Sequence, residues 1–199
     1  MRSLVFAAAC LATLAVPARA EITSAYTDFD TDTGCTTFSA PAEDEAGDWA
    51  DLVCDGWRGY PVFLYYADAR ESLFYGFPPA GDLAPAWESF AAFNSSGPMI
   101  EWRLDDSSGS SVPFATIHRR FVSDPEDDAK KTEVLVVSKV GQPGLREGCV
   151  IGYVAATGNP EANEQAREIA EGAGSFACGS DAPVVKQGKV PVPPFHRNE

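Results

Sequence analysis

The chain has 199 residues, with 15 basic against 29 acidic side chains and a formal net charge of −14 at pH 7. A chain this acidic is repelled by nucleic acid and by anionic membrane surfaces, which argues against both as partners. Its 45% hydrophobic residues supply enough apolar surface for a core, which argues against wholesale disorder as well.

The first 20 residues read as a secretory signal. Met1-Arg2 gives a positive start, residues 4–16 are an apolar run, and Ala18-Arg19-Ala20 sets small residues at a cleavage site near Ala20. The run is too short for a membrane span. Cleavage there leaves 179 residues, with 13 basic against 29 acidic side chains and a net charge of −16. A length of that order suits one domain, expected over residues 21–180 and followed by a tail at 181–199.

Five cysteines are present, and Cys10 falls inside the signal. Cys35, Cys54, Cys149 and Cys178 remain. An even number in an exported chain implies two disulfides, with three connectivities open. The spacing favours Cys35–Cys54 and Cys149–Cys178, each closing a loop of about 20 to 30 residues and each worth roughly 3 kcal/mol in the chain-entropy model. A metal centre is disfavoured, because there is no CxxC pair and only His118 and His196 offer imidazole.

In chain order, residues 25–30 suggest a strand. Asp28, Asp30 and Asp32 then alternate like the opening of a calcium loop, but Thr33 stands where that motif needs glycine and Ser39 where it needs a bidentate glutamate. Residues 49–54, 62–66 and 72–77 follow as strands, the last two forming a hairpin across residues 67–70. Residues 86–93 place Trp87, Phe90 and Ala91 at helical spacing, which predicts a short middle helix. Asn94-Ser95-Ser96-Gly97 would stop it, and also spells a glycosylation sequon. Further strands are expected at 99–104, 114–122, 133–140 and 149–155. In the second of these, Phe114, Thr116, His118 and Arg120 should share one face.

Asn159 and Pro160 then cap a C-terminal helix with a narrow stripe of Ala162, Ala166, Ile169 and Ala173. Gly172 and Gly174 end it. Pro183, Pro191, Pro193 and Pro194 mark the rest as an extended tail that adds nothing to the core. The fold class expected is α+β: a mainly antiparallel sheet of about seven or eight strands with a C-terminal helix and a short middle helix.

Motifs for chemistry are sparse. There is no GxSxG, phosphate loop, dinucleotide fingerprint or HExxH. His118, beside Arg119 and Arg120, reads as a structural or surface histidine rather than a base. Asp124, Glu126, Asp127 and Asp128 read as a solvated loop. Carboxylates could pair as in a glycosidase, but with 29 acids coincidence is expected. The aromatics of residues 57–77 mostly suit a core, leaving Trp57, Tyr60, Tyr65 and Tyr66 as a candidate surface for a sugar or partner protein.

Two resemblances bear on function. The segments 26–30 leading to Cys35, Cys54 with 59–62, 100–104, 114–117, Cys149 with Tyr153-Val154, Asn159-Pro160 with Ala162-Asn163, Ala166-Arg167, and Cys178 resemble an uncharacterised family of exported alphaproteobacterial proteins with four mature cysteines. That resemblance implies a periplasmic address and paired cysteines, and no activity. Asp55-Gly56-Trp57-Arg58 departs from the Pro-Gly expected after the second cysteine. The Ser107–Ser111 loop is similar to the Ser-Gly-x-x-Tyr loop of periplasmic lysozyme inhibitors, but Ser108-Gly109 leads to Val112 where the tyrosine belongs.

The reading favoured is a non-enzymatic periplasmic binding or protein-interaction module. Its ligand would be a periplasmic protein or cell-envelope component, and no cofactor, metal or catalytic residue is assigned. The alternatives are an inhibitor of a basic cell-wall hydrolase such as lysozyme, whose contacts would include Ser108 and Gly109, and a carboxylate-dependent hydrolase.

Overall fold

The computed structural model describes residues 22–79 and 86–198, so the expected signal segment lies outside them. In chain order the strands are β1 (Ile22–Asp28), β2 (Cys35–Ser39), β3 (Trp49–Cys54), β4 (Val62–Ala67), β5 (Arg70–Tyr75), β6 (Trp87–Phe90), β7 (Asn94–Asp105), β8 (Val112–Asp124), β9 (Asp127–Lys139), β10 (Cys149–Ala155), β11 (Val184–Lys186) and β12 (Phe195–Asn198). One α-helix, α1 (Ala162–Glu171), lies near the C-terminus.

Strands β1-β7-β8-β9-β10-β11 form a six-stranded sheet, antiparallel except for the parallel β10–β11 edge. Strands β2-β3-β4-β5 form a second, antiparallel sheet, and β6 pairs with β12. Side chains join β6 to β5: Glu88 N–H donates to Ser72 Oγ at 2.9 Å and Ser89 Oγ donates to the Glu71 carbonyl at 2.8 Å.

Alternation along β8 explains the layering. Ala115 and Ile117 join Leu135, Val137, Ile151 and Val154 on the face that meets α1. The expected stripe of Ala162, Ala166, Ile169 and Ala173 is buried there, and its alanines let the helix approach closely. Thr116, His118 and Arg120 point the other way and are buried under the second layer. Phe114, expected with them, packs against the α1 cluster instead. A register shift skips it, since Arg103 opposes Ala115 while Leu104 opposes Pro113. On the inner face Ile100, Trp102 and Leu104 pack against Val62, Leu64, Leu73 and Tyr75. The layers touch at an isolated bridge between Gly76 and Gly141; Gly76 has φ +89° and a Cβ there would lie 2.2 Å from the Gly141 oxygen.

Both favoured disulfides are present. Cys35 and Cys54 are cross-strand partners in β2–β3, and Cys149–Cys178 ties the start of β10 to the chain beyond α1. Asn159 Oδ1 accepts the Glu161 N–H at 3.1 Å, opening the turn that leads into the helix.

Three expectations need correction. The sheet of seven or eight strands is twelve strands in three sheets among the described residues. The segment 86–93 is not a helix: residues 87–90 are β6, and beyond α1 the described residues hold only a 3-10 turn at Trp57–Gly59. Four residues paired with β12, three of them buried, override a helical spacing spanning less than two turns. The tail is not idle either. Its β11 and β12 pair with β10 and β6, and the Phe195 ring sits 5.0 Å from Phe90 and 4.5 Å from Tyr153.

The β4–β5 hairpin turns through Asp68 and Ala69, with φ of 50° and 52°. Aspartate tolerates the left-handed region, whereas the alanine Cβ crowds the following carbonyl. Ala69→Gly is therefore expected to stabilise by roughly 0.5–1 kcal/mol, seen as a higher urea midpoint at unchanged slope. A lower midpoint would mean that the methyl's packing outweighs the strain.

Candidate functional site: an acidic cleft over a buried polar core

Thr116, His118 and Arg120 lie on the inner face of β8, opposite Glu71 and Tyr75 of β5. His118 is fully buried. Its Nε2 faces the Gly97 carbonyl and its Nδ1 faces the Tyr75 hydroxyl, each at 2.8 Å. A carbonyl can only accept, so Nε2 carries the proton and Nδ1 accepts from Tyr75. Burial, with the Arg120 charge adding to it, pushes His118 down to about 3 against the pull of the Gly97 bond. The Phe29 ring closes the site edge-on at 5.0 Å. With both nitrogens engaged, His118 is structural.

Arg120 donates to the Glu71 carbonyl at 2.9 Å and to Asn94 Oδ1, and lies 3.4 Å from Glu71 Oε2. Ser96 Oγ donates to that same carboxylate oxygen at 2.6 Å. Asn94 is buried and bonded to Ser89 and Ala92, so the sequon at 94–96 is closed to modification in the folded chain.

Above this core opens a cleft of about 670 Å³. It is built where the connection from β1 to β2 crosses from one sheet to the other. Asp28, Phe29, Asp30, Thr31 and Thr33 form one wall, and Glu71, Ser95, Ser96 and Pro98 form the other. Asp30 accepts from the Asp32 amide at 2.9 Å and the Thr33 hydroxyl at 2.7 Å. Those bonds, Thr33 first, hold its carboxyl below the usual range. Three acidic residues and several hydroxyl residues thus line one opening. Thr33 also borders a second hollow, of about 590 Å³, that holds Asp55, Arg58 and Tyr60 beside the Cys35–Cys54 disulfide. Among the described residues no group of three or more His, Cys, Asp or Glu side chains could hold a metal ion.

The structure does not gather the expected surface into one place. Tyr65 is buried with Phe63 and Phe74 on the outer face of the second sheet. Tyr66 is partly exposed, with its hydroxyl 3.4 Å from Asp48. Tyr60 donates to Gln142 at 3.0 Å and packs edge-on against Phe77. Trp57 lies against the inner core beneath the Arg58 guanidinium, which is 4.7 Å from its ring centre. Ser108 and Gly109 stand at the exposed tip of the β7–β8 hairpin, Gly109 with φ +79°. The hairpin and the Trp57 turn both adjoin β1, whose Thr23 donates to Asp106 at 2.7 Å and which the turn at Trp57–Gly59 approaches.

Away from the cleft, burial pushes the Glu88 carboxyl up although Arg197 opposes the shift. Its Oε1 accepts from Arg197 Nε at 2.5 Å and its Oε2 from Val150 N–H at 2.9 Å, so it ties three strands together. Sequence reasoning noticed the Asp28/Asp30 alternation but not its partners. Glu71, Ser95 and Ser96 join it only through long-range pairing that a single sequence does not display. No protein-family model, curated protein or solved structure matches the chain.

Proposed function

We propose that the protein is a non-enzymatic binding module of the bacterial periplasm, or a secreted one, whose acidic cleft takes a cationic segment of a partner protein. The observation that carries this reading is the cleft itself, which Asp28, Asp30 and Glu71 line together. Glu71 is held in that wall by the Ser96 hydroxyl and by its ion pair with Arg120. The overall negative charge steers a basic partner toward it. Two disulfides fit an oxidising compartment, and no described helix is long and apolar enough to cross a membrane. The export reading and the resemblance to exported alphaproteobacterial proteins point the same way.

The second reading, inhibition of a basic cell-wall hydrolase, draws on the exposed Ser108–Gly109 tip. Asp105 accepts from Ser107 N–H at 2.8 Å and Asp106 from Thr23 at 2.7 Å, so the base of that loop is fixed and acidic. One titration addresses both. Lysozyme, as a basic protein, is added at 20 mM and 300 mM salt while binding and its activity are followed. Binding at low salt that weakens roughly tenfold in a D28N/D30N variant is expected, as for a screened charge contact. Loss of activity abolished by replacing Ser108 and Gly109 would transfer the function to the hairpin. Absence of binding at low salt to both lysozyme and an oligolysine would overturn the proposal.

A further inference from the structure

A third hollow, a groove of about 640 Å³, is mainly apolar. Its walls come from three places. Ala91, Ala92 and Phe93 precede β7; Pro125 tops the β8–β9 hairpin; Pro191, Pro193 and Pro194 belong to the tail. The prolines hold their wall in one conformation before any ligand arrives, which lowers the entropy lost on binding. Phe93 is 47% exposed, so much of its ring is open where it lines the groove. Asp124 sits in the lining, while Lys131 reaches Ser123, another lining residue, at 3.4 Å.

Phe93 lines this groove and Ser95 lines the acidic cleft. They stand two steps apart along the chain where it enters β7, about 7 Å at the rise of an extended strand. That is also the spacing of alternate side chains on an extended peptide. We infer that the groove receives an aromatic or branched aliphatic side chain of the same partner segment whose basic residue enters the acidic cleft, so that the occupant is an extended basic peptide with an apolar anchor. This rests on the cationic-segment reading above and adds the source of its specificity. Charge complementarity selects this occupant, because a second copy of so acidic a chain would be repelled.

The test uses two fluorescein-labelled extended peptides, one of lysine and glycine alone and one with a single tryptophan two positions from a lysine. Anisotropy is read at low and high salt with the wild-type chain, F93S and D28N/D30N. The tryptophan peptide is expected to bind about tenfold more tightly, the scale of burying one aromatic ring, and to keep that advantage at high salt. F93S, folded by circular dichroism, should erase the advantage and leave the lysine–glycine peptide unchanged. D28N/D30N should weaken both peptides. If the tryptophan advantage is absent or survives F93S, the groove is not the anchor site, although the cationic reading stands. If neither peptide binds at low salt, both fail. A wild-type dimer that F93S converts to monomer would make the groove a self-interface and overturn the inference.

Discussion

Replacing Arg197 by alanine is expected to cost about 3–5 kcal/mol of folding stability, the range for removing one partner of a buried ion pair. The loss comes less from the pair than from what remains. Glu88 is 7% exposed and already pushed up by burial, so without the guanidinium a carboxylate is left in the interior. Arg197 also donates to the Cys178 and Val150 carbonyls, each at 2.8 Å, and both would lose that donor. Glu88→Gln in the same chain should recover part of the loss, because it removes the orphaned charge. Deleting residues 195–199 should cost more than the single change, since Phe195 leaves Phe90 and Tyr153 with it. Urea unfolding at constant pH measures all three. A cost below about 1 kcal/mol for the deletion, the scale of ordinary surface changes, would return the tail to the idle role its composition suggests.

That contrast shows what composition can and cannot convey. Alternation, β-branching and turn residues located β3, β4, β5, β8, β9 and β10, and the alanine stripe located α1, because in each case the signal sits within a dozen residues. Cysteine spacing was equally local, and both pairs lie as it suggested. Strand β2 went unseen because Thr36, Thr37 and Phe38 are an exposed edge with little apolar pattern. Strands β6 and β12 went unseen because each exists only through the other, more than a hundred residues away. The cleft has the same character. Asp28 and Asp30 were visible as a run, but Glu71 faces them because two sheets stack. The aromatic residues of 57–66 do not share one face for a related reason: strand alternation sends Tyr65 and Tyr66 to opposite sides of β4.

Stability should also fall steeply in mild acid, and His118 is the reason. In the unfolded chain a histidine takes its proton near pH 6.5, whereas in the fold burial and Arg120 delay this to about pH 3. Above pH 6.5 the imidazole is neutral in both states and contributes no pH dependence. Below it the unfolded state binds a proton that the native state refuses, so stability drops as pH falls until the native histidine titrates. At 1.36 kcal/mol per unit, the loss between pH 6.5 and pH 5 is about 2 kcal/mol. Glu88 acts in the opposite sense, since its raised native pKa favours the fold as acid is added. Glu101, held low by Arg167 and Ser24 despite its burial, adds a loss only as pH falls below the normal carboxyl range. His118→Gln separates these contributions. It retains one donor toward Gly97 and one acceptor toward Tyr75 but cannot titrate, so the variant should start less stable at pH 7 and lose about 2 kcal/mol less than the native chain by pH 5. Nitrogen NMR of the imidazole gives the direct check. A neutral ring protonated at Nε2 down to pH 4 is the expected signature, and titration near pH 6.5 would show that the Tyr75–His118–Gly97 arrangement is open to water.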